Sequence, residues 1–385
     1  MQPLTGLRVL DLSRLIPGPL ATLVLADLGA TVDKIEDPGQ GDYLRHMPPQ
    51  IAGRNPAFEL LNRGKRSLVL DLKHAEGREA LLEIVGSYDV LFEQFRPGVL
   101  TRLGLDPKTL RAKHPRLVIA SLTGYGQTGP LAHRAGHDLN YLARAGLLGA
   151  QGPANAAPQV PGFQLADVSG GLWSVIAILA ALRERDRTGE GAWLDVAMSE
   201  GTLHFATTSI GAAIAGEPGL RGDEALTGGL AVYGVYATAD ARHVAFAALE
   251  PKFWMAFCSE HGLTPSLGDL APGPHQAELR ERLAAVFASR TLEAWCAWST
   301  THDLLVEPVL RPDEALADEH LRARGVVFER EANGAPTLDV RTPVTPRDLP
   351  LRAAPAPGEN TREALLDAGM PKDRVEQLFN LGVVR

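Results

Sequence analysis

Three titratable side chains lie beside turns predicted from the sequence, where such groups commonly act as acids, bases or nucleophiles: His137, Asp167 and Glu250. Histidine titrates near neutral pH, and a carboxylate can either take up a proton or attack a carbonyl carbon. Asp167 directly precedes a long apolar helix, so its simplest role is that of a helix N-cap. Glu250 ends an apolar strand before Pro251, where a carboxylate often starts a helix and can equally orient a histidine. Each carboxylate therefore has a structural and a chemical interpretation.

A glycine-rich segment, Gly124–Gly129 (GYGQTG), matches the pattern G-x-G-x-x-G and follows a predicted strand. A dinucleotide site needs a helix directly after this pattern and an acidic residue about 20 residues further on. Here Pro130 follows, and Asp138 comes too early. We therefore expect a flexible loop whose backbone approaches a ligand closely, and not the site of a nicotinamide-dependent dehydrogenase.

Two histidines, His133 and His137, stand four residues apart and would share a metal if they lay on one helix. Pro130 and Gly136 argue against a regular helix at this place. No carboxylate or third histidine stands at a spacing typical of zinc ligands. The sequence therefore predicts no metal site.

Basic side chains cluster beside predicted strand-to-helix turns. Asn62–Arg66 (NRGKR) precedes a strand, and Arg96 and Arg102 lie within FRPGVLTRLGL. For any one of them a solvated surface position is the simplest interpretation. Several together also suit a pyrophosphate or a 3′-phosphate.

The composition limits the class of protein. The 385 residues include 38 Lys and Arg against 46 Asp and Glu, a net charge of −8, which argues against generic nucleic-acid binding. Two cysteines, Cys258 and Cys296, are too few for a disulfide framework and fit a reducing cytosol. The N-terminus has no signal-peptide pattern, and the longest apolar stretch, Leu172–Leu182, is too short for a bilayer and indicates a buried helix. We expect a cytoplasmic protein with no membrane partner.

Strand patterns at Thr31–Glu36, Asp89–Phe95 and Leu117–Leu122 alternate with helix patterns over the N-terminal half, which predicts parallel βαβ units in an α/β layer. The pattern of Glu200–Ile214 predicts a helix that closes this region.

The composition then becomes rich in loop residues. We predict a large α/β domain over residues 1–215, a linker at 216–229 and a small α+β domain at 230–325. Residues 326–385 are expected to return to the large domain and complete it.

The chain resembles the class III CoA-transferase family, also called CaiB/BaiF, along nearly its whole length. No single stretch decides this resemblance, which rests on Leu4–Asp11, Gly18–Glu36, Asn62–Lys73, Phe92–Leu105, Ser121–Pro130, Gly136–Gly146, Ala166–Gly171, Thr188–Gly201, Glu307–Val309 and the C-terminal segment. The resemblance implies two interlocked ring-like subunits. Each would have a Rossmann-like large domain and a small α+β domain, with the active site between domains of different subunits.

The stretch Ala135–Gly146 (AGHDLNYLARAG) resembles the racemase branch of this family. Transferases of the family commonly have an aromatic residue in place of His137, whereas racemases have His, a catalytic Asp about thirty residues on, and a Glu before Pro. The resemblance implies that His137 and Asp167 face each other across the substrate α-carbon. Glu250 would orient and charge-stabilise His137.

The implied reaction is racemisation at C2 of 2-methylacyl-CoA thioesters through an enolate, with coenzyme A as part of the substrate and no further cofactor. Backbone N–H groups near Asp167 are expected to hold the enolate oxygen. The alternative is CoA transfer from an acyl-CoA to a carboxylic acid, with Asp167 as the nucleophile. A non-catalytic CoA-binding protein is the third possibility. The acyl group stays open, with Tyr141, Phe253 and Trp254 as candidate contacts.

Contacts to CoA also follow from the resemblance. Positions that match the family's CoA site are Leu15, Ile16, Lys34, Lys65, Arg96, Arg102 and, more weakly, Tyr125. The family often has Arg after Lys-Ile-Glu, where it meets the 3′-phosphate, but here Asp37 follows Glu36. Lys34 or Arg45 is the expected substitute, and we expect a reduced preference for the 3′-phosphate.

Overall fold

A computed structural model describes residues 2–332 and 335–385. Within these ranges the β-strands are β1 (Arg8–Asp11), β2 (Thr31–Glu36), β3 (Arg66–Val69), β4 (Val90–Glu93), β5 (Val118–Thr123), β6 (Trp193–Ala197), β7 (Tyr233–Ala237), β8 (His243–Ala247), β9 (Val306–Pro308), β10 (Val327–Ala332) and β11 (Ala335–Val340). The α-helices are α1 (Pro17–Asp27), α2 (Pro56–Asn62), α3 (Ala75–Ile84), α4 (Val99–Arg102), α5 (Pro107–Lys113), α6 (Asp138–Arg144), α7 (Leu147–Ala150), α8 (Leu165–Thr188), α9 (Met198–Leu203), α10 (Thr207–Ile214), α11 (Pro251–His261), α12 (Gln276–Phe287), α13 (Leu292–Ser299), α14 (Pro312–Ala317), α15 (Glu319–Ala323), α16 (Thr361–Asp367) and α17 (Lys372–Asn380).

The chain divides into two compact units. The first unit contains the chain up to Ala145 together with Phe163–Thr202 and Glu319–Arg385, and the second contains Gly146–Gly162 and Leu203–Asp318. The second unit thus starts earlier than the linker at 216–229 that the sequence predicts. Its return point, Asp318, also lies earlier than the predicted end of the small domain at residue 325.

The first unit is built on a parallel sheet with the strand order β3-β2-β1-β4-β5-β6. This is the order of a Rossmann-type sheet, in which the strand order reverses between β1 and β4. The middle strands are buried on both faces, as their continuous apolar runs predict. Ligands of such sheets bind outside the carboxyl ends of the strands, at the reversal point. The predicted α/β fold with a parallel sheet is confirmed.

The core of the first unit joins residues that are distant in sequence. Leu10 of β1, Leu91 of β4 and Ile119 of β5 share one buried cluster with Leu365 of α16 and Val375 of α17. The two C-terminal helices therefore bury part of the sheet that the N-terminal half forms.

The second unit has a three-stranded antiparallel sheet in the order β7-β8-β9. Its core is aromatic: Trp254, Phe257, Phe287 and Trp295 are buried against Phe246 of β8. Large aromatic rings give a small unit much apolar area per residue, which supports a core of this size.

The helix α8 carries Asp167 and spans 24 residues, longer than the apolar stretch that the sequence singles out. By length and composition it could cross a bilayer, because an 18-residue window has a mean hydropathy of 1.8. Half of that window is buried, and α8 packs against α1, α6 and β5 of its own unit. Core helices pass the same test of length and composition.

Candidate active site

A cavity of about 500 Å³ lies in the first unit beside β4 and β5. It brings together residues that the sequence places far apart: Leu15, Arg96, Tyr125, His137, Tyr141 and Asp167 all line it. The two predicted acid/base groups of this unit therefore face one shared space.

Asp167 is the third residue of α8, because the helix begins at Leu165 with Gln164 in the N-cap position. The structural interpretation of Asp167 as the N-cap is therefore wrong. Its carboxylate is not needed to close the helix end, and Asp167 lines the cavity instead. The neighbouring Gly170 and Gly171 are buried, and a Cβ on Gly171 would lie 2.7 Å from the carbonyl oxygen of Pro17. Glycine at this position lets α8 approach α1 closely.

Burial, and after it the negative charge of Asp138, raise the pKa of the Asp167 carboxyl to about 7. A carboxyl with this pKa is partly protonated at neutral pH. At this pH it can therefore either accept a proton from a substrate or donate one. A carboxylate near a helix start normally stays ionised, and the burial of Asp167 is what raises its proton affinity.

The start of α8 is closed by a residue from elsewhere in the chain. One carboxylate oxygen of Asp138, Oδ1, accepts the N–H of Ala166 at 2.6 Å and the N–H of Asp167 at 3.0 Å. The sequence suggested that N–H groups near Asp167 hold the enolate oxygen. In the structure the N–H of Asp167 already has an acceptor. Side-chain donors that line the cavity include those of Arg14, Arg96, Tyr125 and Arg134.

His137 immediately precedes α6 with an extended backbone. Its N–H donates to the side-chain oxygen of Asn140 at 3.0 Å, and the hydroxyl of Tyr141 donates to the carbonyl of Gly136 at 2.5 Å. These bonds fix the turn that carries the imidazole of His137. The imidazole itself is exposed.

The GYGQTG segment forms a loop beside this turn, not the opening of a helix. A Cβ on Gly124 would lie 2.3 Å from the ring of Tyr141, so only glycine lets that ring approach the loop. The ring of Tyr125 meets the ring of Tyr141 edge to face, with centroids 5.1 Å apart. Every residue from Gly124 to Gly136 is described, and none of them is helical, in accord with the argument against a dinucleotide site.

Glu250 belongs to the second unit, between β8 and α11. It occupies the N-cap position of α11, but its side chain makes no capping hydrogen bond and is exposed. Its carboxylate is therefore not used to start the helix. The pairing of Glu250 with His137 stays a prediction.

Two of the lysines expected near CoA phosphates are buried inside the first unit. Lys65 Nζ lies 2.8 Å from the hydroxyl of Thr22, 3.0 Å from the side-chain oxygen of Asn62 and 3.4 Å from Asp11. Burial lowers the pKa of Lys65 to about 7, even though Asp11 raises it. The side chains of Lys65 and Asp11 are both fully buried. These contacts favour a supporting role for Lys65 over direct contact with a phosphate.

Lys34 supports the turn between β1 and α1. Its ammonium group donates to the carbonyl of Ser13 at 2.7 Å and lies 3.0 Å from Asp42, which accepts the N–H of Leu15 at 3.0 Å. Leu15 has a φ of +65°, a conformation that costs free energy for a residue other than glycine. The buried Lys34–Asp42 pair thus holds a strained turn that faces the cavity.

A second cavity, of about 320 Å³, shares Arg14, Phe95 and Val99 with the first. Its lining includes Asp37 and two cations that the sequence argument did not single out, Arg14 and Lys73. Lys73 follows the carboxyl end of β3, where ligands of such sheets bind, so its position in the sequence could have identified it as a candidate. Ile16 and Arg102 line neither cavity. Both are close to residues that do: Ile16 follows Leu15, and Arg102 is at the end of α4, whose first residue, Val99, lines both cavities.

Arg45, the other expected substitute for the missing arginine, is already paired. Its guanidinium group donates to both carboxylate oxygens of Glu36, at 2.6 and 2.8 Å, and to the carbonyl of Pro355 at 3.0 Å. It also lies over the ring of Phe58. Binding a phosphate would cost Arg45 these contacts. A reduced preference for the 3′-phosphate stays a prediction.

Asp167→Asn is expected to raise the free energy of unfolding at pH 8 by about 1–3 kcal/mol. The folded chain keeps this proton up to about pH 7, whereas the unfolded chain loses it near 3.8. The stability that the carboxyl contributes is therefore complete below the unfolded pKa and is lost as pH rises toward 7. Because Asn carries no charge, the gain should disappear at pH 4. Urea unfolding at the two pH values measures it, and equal effects at both would contradict the burial of this charge.

The strand order and the cavity at its reversal point define a Rossmann-like α/β protein. Residues 4–361 match the family model of CoA-transferase family III, and the chain belongs to this family, which includes CoA-transferases and racemases. The family predicted from the sequence is thereby confirmed.

Relatives of both kinds resemble the whole chain. It is 36% identical to the alpha-methylacyl-CoA racemase of Homo sapiens over 386 residues, covering 97% of this chain and 96% of that one. It is 34% identical to an acyl-CoA transferase of Fusarium pseudograminearum over 407 residues, covering 99% and 88%. A CaiB/BaiF family protein from Brucella suis superposes with a TM-score of 0.80 at 30% identity, covering 95% of this chain and 99% of that one.

Proposed function

We propose that the protein is an isomerase that racemises 2-methylacyl-CoA thioesters at C2. The observation that carries the proposal is the placement of His137 and Asp167 on one cavity, where burial raises the pKa of Asp167 to about 7. Racemisation needs two acid/base groups, one on each side of the carbon that changes configuration. The likeness to the human racemase over nearly the whole chain supports the same reaction.

In the proposed reaction, one of the two groups removes the proton from C2, and the electron pair of the broken C–H bond forms the C1–C2 double bond of an enolate. The thioester oxygen takes the negative charge, which hydrogen-bond donors lining the cavity stabilise. The other group, protonated beforehand, then returns a proton to the opposite face. The two groups exchange roles in the reverse direction, so neither needs a cofactor.

Coenzyme A is proposed to lie across the two adjoining cavities of the first unit. The thioester would occupy the cavity of His137 and Asp167, and the nucleotide would occupy the one beside Asp37 and Lys73. Exposed Arg96 is the predicted phosphate contact that lines the thioester cavity. Glu250 is proposed to reach His137 in a homodimer of the kind that the family resemblance implies.

Arg96→Met is expected to raise the KM for an acyl-CoA about tenfold or more and to leave the free energy of unfolding unchanged. An exposed guanidinium group that meets a phosphate contributes a charged hydrogen bond, and its loss weakens binding only. Lys65→Met is the matched comparison. It should lower the free energy of unfolding by about 3–5 kcal/mol, because it removes the cation that lies 3.4 Å from the buried carboxylate of Asp11.

Steady-state kinetics and urea unfolding of both variants measure these effects. If Lys65→Met instead raised the KM of a stably folded enzyme while Arg96→Met left the KM unchanged, the roles assigned to the two residues would be reversed.

The function is tested by incubating a pure (R)-2-methylacyl-CoA in deuterium oxide without any acceptor acid. A racemase incorporates one deuterium at C2 and loses optical purity at a comparable rate, because the proton that returns comes from a solvent-exchanged group. Mass spectrometry and chiral chromatography measure the two changes. No exchange over many enzyme equivalents would exclude racemisation.

CoA transfer is the second candidate, because a transferase is related over the whole chain and the same Asp167 can act as a nucleophile. In that reaction the carboxylate attacks the thioester carbonyl and releases CoA as a thiolate, which leaves a mixed anhydride on Asp167. Hydroxylamine would trap this anhydride as a hydroxamate with a defined mass shift on the peptide that contains Asp167. The racemase proposal predicts no such adduct.

A further inference from the structure

The first turn of α8 is held by a side chain from another helix. The first N–H groups of any α-helix have no partner within the helix and need another acceptor. The N-cap residue Gln164 makes no side-chain capping bond. Oδ1 of Asp138 takes its place and accepts the N–H groups of Ala166 and Asp167 at 2.6 and 3.0 Å. The backbone of Asp167 is thus bound directly by Asp138.

Asp138 is at the same time joined to His137 by a peptide bond. The turn that carries both is itself fixed, because the N–H of His137 donates to Asn140 and the hydroxyl of Tyr141 donates to Gly136. The path from His137 to Asp167 therefore runs through one peptide bond and one shared carboxylate oxygen. The helices α6 and α8, which carry these residues, pack against each other.

We propose that Asp138 is a positioning residue that sets the spacing of His137 and Asp167 across the substrate carbon. This inference rests on the proposed racemase function. Two acid/base groups that act on opposite faces of one carbon must both stay within hydrogen-bond reach of it, and a displacement of about 1 Å can cost about 10²-fold in rate. A single carboxylate that binds one group's backbone and adjoins the other fixes that separation.

Asp138 also acts on Asp167 through its charge. After burial, it is the cause that raises the pKa of the Asp167 carboxyl. The other charged or titratable groups that line this cavity are Arg14, Arg96, Tyr125, Arg134, His137 and Tyr141. Several cations therefore line the cavity. Asp138 is the anion whose charge raises the pKa of the Asp167 carboxyl, so removing that charge should lower this pKa.

The two roles of Asp138 are separated by two substitutions. Asp138→Asn keeps an oxygen acceptor for the two N–H groups and removes the charge. It should fold normally, keep the KM within about threefold, and move the acidic limb of the kcat profile to lower pH. Asp138→Ala removes the acceptor as well, and kcat should fall by about 10²-fold with little change in KM. Racemisation of a 2-methylacyl-CoA is measured from pH 5 to pH 9.

The control is Asp106→Ala, since Asp106 caps α5 by accepting the N–H of Thr109 at 3.0 Å and lines neither cavity. It removes a capping carboxylate of the same kind and should lower thermal stability without changing the pH profile or kcat. If both Asp138 variants kept the parental kcat and pH profile, the positioning proposal would be overturned. A parent enzyme that does not racemise at all would instead overturn the proposed function.

Discussion

Replacing Asp167 by Asn is expected to lower kcat for racemisation of a 2-methylacyl-CoA by about 10²–10⁴-fold. The substitution keeps the size and shape of the side chain but removes the group that gives and takes the proton. The KM should stay within about threefold, because the cavity keeps its shape and its phosphate contacts. Racemisation is followed by chiral chromatography at pH 7.

Asp186→Asn is the matched control, because Asp186 lies on the same helix α8 and is exposed near its far end. It should leave kcat and KM unchanged. Asp167→Asn should thus lose activity and, at pH 8, gain stability. The two results together would show that the Asp167 carboxyl serves catalysis and lowers the stability of the fold. Parental racemisation by Asp167→Asn would show that another group does the chemistry.

His137→Asn is expected to abolish interconversion of the enantiomers and yet to retain exchange of the C2 proton of one of them. With the imidazole gone, the carboxyl of Asp167 can still remove the proton on its own side of the carbon and return a solvent deuteron to that side. The product keeps its configuration and gains deuterium. Measurement of C2 deuterium and of enantiomeric excess on the same sample separates exchange from racemisation.

His133→Asn serves as the control, since His133 is exposed four residues earlier and does not line the cavity. It should racemise at the parental rate. If His137→Asn still interconverted the enantiomers at that rate, one acid/base group would suffice and His137 would not be the second.

The strands of the first unit could be predicted closely from the sequence. The pattern for β2 coincides with the observed Thr31–Glu36, and β4 and β5 lie within one or two residues of the predicted runs. Short apolar runs bounded by glycine or proline are enough to locate these strands, because a strand that is buried on both faces consists mostly of apolar residues. The predicted single helix from Glu200 to Ile214 is instead α9, a 3₁₀ turn at His204–Ala206 and α10, a break that the apolar pattern does not reveal.

The site residues could be named from the sequence, but not all of their roles could. The N-cap was the structural interpretation of Asp167, because the sequence shows only its place before an apolar run. The actual cap, Asp138, is 28 residues away from Ala166. Lys65 was expected at a phosphate, yet it is buried beside Asp11, which lies 54 residues earlier in the chain. Contacts between distant residues decide both cases, and no local pattern encodes them.

The most direct test of the two-base account compares Asp167→Asn and His137→Asn on each pure enantiomer of a 2-methylacyl-CoA in deuterium oxide. The account predicts that neither variant interconverts the enantiomers, that each incorporates deuterium into only one of them, and that the two variants choose opposite enantiomers. Exchange of the same enantiomer by both variants would contradict the placement of His137 and Asp167 on opposite faces of the substrate carbon.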